Sequence, residues 1–352
     1  VFGGQVGSEG KGAICGYMAR RYRYGAAICS FMTNAGHTWV DGDEKVMVQQ
    51  IPISLISPDV TYLLIGPGAG ITVSTLLDEI QKYDTTYNVA ARLHIDPRAV
   101  IIEDRHAQDG KEHSIARAGV GKGCGRANAE KSMRLPTAKL ARNVHELKGF
   151  IGDTVQLVNS QLDAGMGVMV EGAQGFDLDL NHGIDYPYCT SRGTTPMQTL
   201  ADCGIAAQHL RKSIAVVRSY PIRVGNIVED GEQKGYSGFY GRELSWEEVA
   251  ERSGAPLDLT VSERTTVTKR IRRVFEIDHV RLARMAMVCR PTEIALTFAD
   301  YIDYNLKDTY GYGVPIGSKL ARFVNAVEHT CNAPVRMVKT GADDRSVIHT
   351  HE

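Results

Sequence analysis

The chain has 352 residues, a formal net charge of -1, and 43% hydrophobic against 23% charged residues. Such a length and composition suit a globular protein with a large core, and the balanced charge excludes the electrostatic footprint of a nucleic-acid or anionic-membrane binder. No apolar run reaches membrane-spanning length, no signal peptide is visible, and seven cysteines without C-x-x-C spacing read as reduced thiols in a cytoplasmic setting with no zinc site.

In chain order, the first segment to stand out is Gly3 to Gly12, with Lys11 set among its glycines. Val1 and Phe2 read as the end of a strand, and a helical apolar pattern follows over Ile14 to Tyr22. Glycines let backbone N–H groups approach an anion, the helix N-terminus adds partial positive charge, and a lysine adds a point charge. Walker A spacing is absent, so the stretch is either a phosphate loop or a glycine-rich turn. Only two residues precede the glycines, short for a strand, which leaves open whether natural residues precede Val1.

Buried strands are predicted at Ala26 to Phe31, Tyr62 to Ile65, Ala99 to Glu103, Gly167 to Glu171, Ile214 to Arg218 and Glu293 to Phe298. Further helices are predicted at Ser74 to Tyr83, Gln156 to Ala164, Trp246 to Ser253, Asp278 to Val288 and Lys319 to Thr330. This alternation argues an α/β fold, with a largely parallel central sheet flanked by helices. No linker, repeat or low-complexity tract divides it, so residues 1–352 read as a single domain with long functional loops.

Ligands in such sheets collect at the carboxyl ends of strands, where several polar segments lie. Asn34 to Thr38 holds His37 beside Gly36; His37 is either a proton donor or a surface residue. Gly119 to Arg126 is a second glycine and cation loop, for a phosphate or as a mobile lid. Glu171 to Gly175 and Asp185 to Ser191 offer amides and hydroxyls that suit a neutral heterocycle, or cap turns. Lys269, Arg270, Arg272 and Arg273 cluster beside threonines, either to hold carboxylates and phosphates bidentately or as a solvated basic loop.

Together and in order, these segments resemble the adenylosuccinate synthetase family. Gly7 to Gly12 is similar to its G-D-E-G-K-G motif, Asn34 to Thr38 to N-A-G-H-T, and Glu171 to Gly175 to E-G-A-Q-G. Gly121 to Arg134, Tyr186 to Ser191, Val267 to Arg273 and Thr292 to Asp300 resemble four further motifs. The resemblance implies nucleotide binding like that of P-loop NTPases but without a Walker A sequence. It implies a ligase that phosphorylates O6 of a 6-oxopurine nucleotide and then displaces the phosphate with the amine of L-aspartate.

The same resemblance implies residue roles. Lys11 holds the phosphoryl group in transfer, His37 is the acid on the 6-oxygen side, and Gln174 steadies the 6-oxyanion. Ser8, Asn34, Gly121, Thr190, Gln174 and Arg134 hold the substrate nucleotide, Arg134 from the other subunit of a homodimer. Thr266, Val267, Thr268, Arg270 and Arg272 hold L-aspartate. Gly7, Glu9, Gly10, Lys11, Gly12, Gly36, His37 and Thr38 meet the triphosphate, with Phe298, Asp300, Thr340 and Gly341 completing the donor site. Ser8 and the backbone at Gly36 would lie on Mg2+.

The departures from the motifs shape the expected function. The family's aspartate is Ser8 here, a poor base and a weaker metal ligand. Its T-K-L-D is Thr297-Phe298-Ala299-Asp300, which breaks the guanine signature for GTP. Both changes resemble the bacteriophage branch of the family, the 2-aminoadenylosuccinate synthetases, which act on dGMP with ATP or dATP. A smaller residue at position 8 leaves room for the 2-amino group of guanine, and its hydroxyl can accept a hydrogen bond from it. The base that removes the N1 proton is unassigned, with Glu9 and a metal-bound water as candidates. Val120 replaces the family's usual threonine, and Arg126 to Ala129 departs from P-A-Y. An ordinary GTP-dependent enzyme acting on IMP, and a catalytically dead nucleotide-binding homologue, are the rival expectations.

Overall fold

The computed structural model describes residues 1–109, 121–229, 232–256, 263–264 and 271–350. Ten strands organise it: β1 (Phe2–Gly3), β2 (Ala26–Cys29), β3 (Tyr62–Ile65), β4 (Leu93–Ile95), β5 (Val168–Glu171), β6 (Ile214–Arg218), β7 (Glu293–Thr297), β8 (Gly311–Tyr312), β9 (Val335–Lys339) and β10 (Val347–His349). One sheet runs β1-β6-β7-β9-β10-β8 and another β4-β3-β2-β5. Their edges meet where Val1 N donates to Val170 O at 2.9 Å and Gly172 N to Val1 O at 2.8 Å. All pairings within the two sheets are parallel except β9 with β10.

Strands buried on both faces must be apolar throughout, and the pattern of residues shows it. Along β6 and β7, Val216 and Ala295 join the core beneath α1 (Lys11–Arg21), while Ala215, Val217, Ile294 and Leu296 join the opposite core. Each fully buried Val, Leu or Ile contributes about 1.5–3 kcal/mol, so both layers hold the sheet. α2 (Val73–Tyr87) packs in the first core through Leu76, Ile80 and Tyr83. α3 (His279–Cys289) and α4 (Gly317–Cys331) pack in the second through Leu282, Met285, Leu320, Val324 and Val327.

The predicted strand at Ala99 to Glu103 shrinks to Val100–Ile101, paired with Gly70–Ile71 in a separate ladder. The Asn34 to Thr38 segment also differs from a plain loop, because His37–Asp41 pairs antiparallel with Glu44–Val48. Trp39, Val46 and Val48 are buried, and Gly42 closes the turn at φ 57°. Asp41 pairs with Glu44, so the loop is Gly42-Asp43, a two-residue hairpin turn with glycine at the first central position. Among the described residues no helix is long and apolar enough to cross a membrane.

Candidate functional site

The short β1 delivers the chain into the glycine loop, and the loop's shape follows from left-handed backbone. Gly7, Ser8 and Gly10 stand at φ 84°, 59° and 91°. The alternation turns Ser8 outward and Glu9 inward, where Glu9 is fully buried. Glu9 Oε1 accepts from Gln5 N at 3.2 Å and Gly7 N at 2.7 Å, and Oε2 accepts from Lys11 Nζ at 2.7 Å. Glu9 therefore shapes the loop from inside. Its side chain is absent from the cavity lining, which weighs against Glu9 as the N1 base, while its backbone remains part of the glycine loop.

Lys11 opens α1 and is 5% exposed, its Nζ also donating to Gln174 O at 2.5 Å. An ammonium has three donors, so one N–H remains for a ligand oxygen. Gly12 must lack a side chain, because a Cβ there would lie 2.7 Å from Thr38 N and 2.8 Å from the His37 Cβ. That close approach brings the His37 strand onto the start of α1.

His37 is buried and packs edge-on against Phe31, with ring centroids 4.6 Å apart. Its Nδ1–H donates to Glu171 Oε2 at 3.4 Å, and Glu171 is fixed by Ile53 N, Ser54 N and Ser54 Oγ. Its Nε2 is buried without a protein partner. Burial lowers the imidazole pKa, and the Glu171 hydrogen bond opposes that shift. An unpaired ring nitrogen beside a cavity is free to bond a substrate atom.

These groups line one cavity of about 820 Å³. The structure brings together Gly7, Ser8, Gly10, Lys11, Gly12, Asn34, Gly36, His37, Thr38, Gln174, Arg272 and Phe298 from the expected set. Gly121, Arg134, Thr190, Asp300, Thr340 and Gly341 lie outside its lining. Arg134 is exposed at φ 58°, while Thr190 N is tied to Leu178 O at 2.8 Å. Thr340 Oγ1 donates to Thr309 O at 2.6 Å. Thr266, Val267, Thr268, Arg270 and Val120 lie outside the described residues.

Among the lining residues that the sequence did not single out are Arg218, Arg223 and Glu263. The available signal was Arg218 itself, a cation ending the apolar run of β6. Arg223 is held by Ser237 O at 2.8 Å, and burial pulls its pKa down to about 10. The cations Lys11, Lys82, Lys122, Arg218, Arg223 and Arg272 outnumber the lining carboxylates Asp78, Glu79 and Glu263. The field therefore favours an anionic ligand.

Arg272 Nη1 donates to Ser8 Oγ at 3.1 Å. A guanidinium bonded to that hydroxyl disfavours a second cation on the same oxygen, so Ser8 is at most a weak metal ligand. Gly36 fits better: its surroundings are open, with nothing within 4 Å of a Cβ position. Among the described residues no cluster of three metal-ligating side chains exists. The donor set thus fits only a hard cation carried mainly by ligand oxygens.

The family model for adenylosuccinate synthetase matches residues 1–141 and 136–312. The N6-succino-2-amino-2'-deoxyadenylate synthase of Vibrio phage phiVC8 is 35% identical over 309 residues, covering 85% of this chain and 84% of the relative. The adenylosuccinate synthetase of Pyrococcus horikoshii is 34% identical over 361 residues, covering 99% and 97%. Among solved structures, the cyanophage S-2L succinoaminodeoxyadenylate synthetase bound to dGMP and dATP superposes with a TM-score of 0.82 at 28% identity, covering 100% of this chain and 94% of that one. With its fold, its glycine loop and these matches in agreement, the chain belongs to the adenylosuccinate synthetase family.

Proposed function

We propose that this chain joins L-aspartate to C6 of dGMP, with ATP or dATP as phosphoryl donor. The products are N6-succino-2-amino-2'-deoxyadenylate, the nucleoside diphosphate and phosphate, which makes the enzyme a C–N ligase for 2-aminoadenine DNA precursors. The observation that carries this reading is Ser8, a neutral hydroxyl on the cavity wall where the family motif has a carboxylate. Two relatives, 35% and 32% identical, are phage N6-succino-2-amino-2'-deoxyadenylate synthases, and the similar cyanophage structure is bound to dGMP and dATP; both support the substrate choice.

The chemistry follows from the lining. O6 of dGMP attacks the terminal phosphorus of the donor as a water in the cavity accepts the N1 proton, and the diphosphate departs. The third N–H of Lys11 bonds the phosphoryl group in transfer. His37 Nε2 faces the reacting oxygens, and Gln174 steadies O6. The amine of L-aspartate then forms the C6–N bond, and phosphate leaves with the O6 oxygen. Arg272 takes a carboxylate of aspartate, together with Arg270. Electrostatic preorganisation of this kind supplies most of such a barrier reduction. Mg2+, when bound, neutralises charge on the phosphates, and the Gly36 carbonyl would hold it. Exposed Arg134 suits a contribution to the nucleotide phosphate of a second copy in a homodimer, in the host cytoplasm if the gene is a phage's.

Purified protein with Mg2+ and L-aspartate is offered dGMP or IMP, each with ATP or GTP, and product is read by mass spectrometry. A succinylated product from dGMP with ATP is expected. Product from IMP with GTP alone would make this an ordinary adenylosuccinate synthetase, and no product from any pair would leave a nucleotide-binding homologue.

A further inference from the structure

Arg218 ends β6, and its side chain is 1% exposed. Burying a guanidinium is costly unless its N–H groups are satisfied. Its Nε donates to Tyr220 O at 2.7 Å, Nη1 to Ser8 O at 3.4 Å, and Nη2 to Glu263 Oε1. Its Cζ lies 3.5 Å from the centroid of the Phe298 ring, over its face. Gln5 clamps its backbone from both sides, donating to its O at 3.0 Å and accepting from its N at 2.8 Å.

Three separate segments meet on this one planar group. The glycine loop arrives through Ser8. The turn after β7 arrives through Phe298, at φ 57°, whose carbonyl is also held by Ser219 Oγ at 2.7 Å. The third segment is Glu263, whose Oε1 also accepts from Tyr301 OH at 3.0 Å and whose backbone O accepts from Arg272 N at 2.7 Å. Arg272 returns to Ser8 Oγ at 3.1 Å, closing the circuit.

We propose that Arg218 is a positioning residue that couples the donor-nucleotide end of the cavity, at Phe298, to the aspartate end, at Arg272. The proposal rests on the substrate placement above. A rigid guanidinium fork cannot follow Phe298 without carrying Glu263, and Glu263 holds the backbone of Arg272. A donor nucleotide that settles Phe298 and Tyr301 therefore settles Arg272 for a carboxylate. Linkage requires the reverse effect to be equal.

The test uses binding, so it does not depend on turnover. The Kd for L-aspartate is measured by calorimetry on dGMP-saturated protein, with and without a non-hydrolysable ATP analogue. Wild type should bind aspartate about tenfold tighter with the analogue, within the usual range of such couplings. Arg218→Met and Arg218→Met/Glu263→Gln should show less than about twofold, while the Kd for dGMP changes less than about threefold. A purely structural role would lower the melting temperature and leave the ratio of the two aspartate Kd values intact. Tyr301→Phe, which deletes one hydroxyl, should give an intermediate ratio, and it serves if the Arg218 variants do not fold. Wild-type coupling in a folded Arg218 variant or an undiminished ratio in Tyr301→Phe overturns the proposal, as does absence of coupling in wild type. Failure of dGMP to bind at all overturns the substrate reading instead.

Discussion

Lys11→Met separates what the lysine does for the fold from what it does for a ligand. Lys11 and Glu9 are 5% and 1% exposed at their side chains, with Nζ 2.7 Å from Oε2. Removing the cation leaves the Glu9 carboxylate buried with only the Gln5 and Gly7 N–H groups. Breaking a buried pair from one side costs about 3–5 kcal/mol, most of it the stranded charge. Glu9→Gln in the same chain removes that charge while its amide oxygen still accepts from both N–H groups. The double variant should therefore recover about 2–3 kcal/mol of the loss, a coupling well outside additivity. Urea unfolding of the four proteins of the cycle, followed by far-ultraviolet circular dichroism, measures it. Product formation should stay absent in the double variant, because the phosphoryl-facing N–H is gone. A loss below about 1 kcal/mol in Lys11→Met, or additive effects, would refute the pairing as a structural element.

His37→Ala should cut turnover by about 100-fold or more while the Kd for dGMP holds, since general acid–base groups contribute on that scale; near-normal turnover would reject a chemical role for Nε2. Ser8→Asp should lower product from dGMP at least about tenfold and give measurable product from IMP; unchanged turnover with dGMP would remove Ser8 from specificity. Asp177 is buried with neither carboxylate oxygen partnered, and burial lifts its pKa from 3.8 to about 7 against the pull of Arg281, with Asp185, Asp278 and Glu9 adding to the rise. The folded state thus keeps a proton that the unfolded state loses, so stability falls as pH rises from about 4 to 7. Asp177→Asn lacks this loss, and its stability relative to wild type should climb by about 2–4 kcal/mol across that window in urea melts; a flat difference would refute it.

Much of the fold was legible because its central strands are uninterrupted apolar runs. Tyr62–Ile65 and Ile214–Arg218 sit where their sequence puts them. The helix Trp246–Ser253 was bounded by its own chemistry, a Ser245–Glu248 capping box before it and Gly254 in left-handed backbone after it. The direction of Glu9 was not legible, since side chains in a loop point where φ sends them and no periodicity applies. Nor was the Arg218–Glu263 pair, whose partners are 45 residues apart and meet only once the sheet has formed. The motifs led to the cavity; what the cavity's charges do to one another needed the structure.

That distinction matters most at Ser8. A carboxylate at this position would face the guanidinium of Arg272 and neutralise it, as opposite charges at hydrogen-bond distance do. A hydroxyl orients the same guanidinium at 3.1 Å while leaving its charge intact. Burial lowers the Arg272 pKa, a sign that its charge is incompletely solvated. An incoming carboxylate relieves that deficit. Under the proposed function, serine in place of aspartate would act at both ends of the reaction: it would leave room beside the purine, and it would leave the Arg272 charge unpaired by residue 8 and open to the carboxylate of the attacking amino acid.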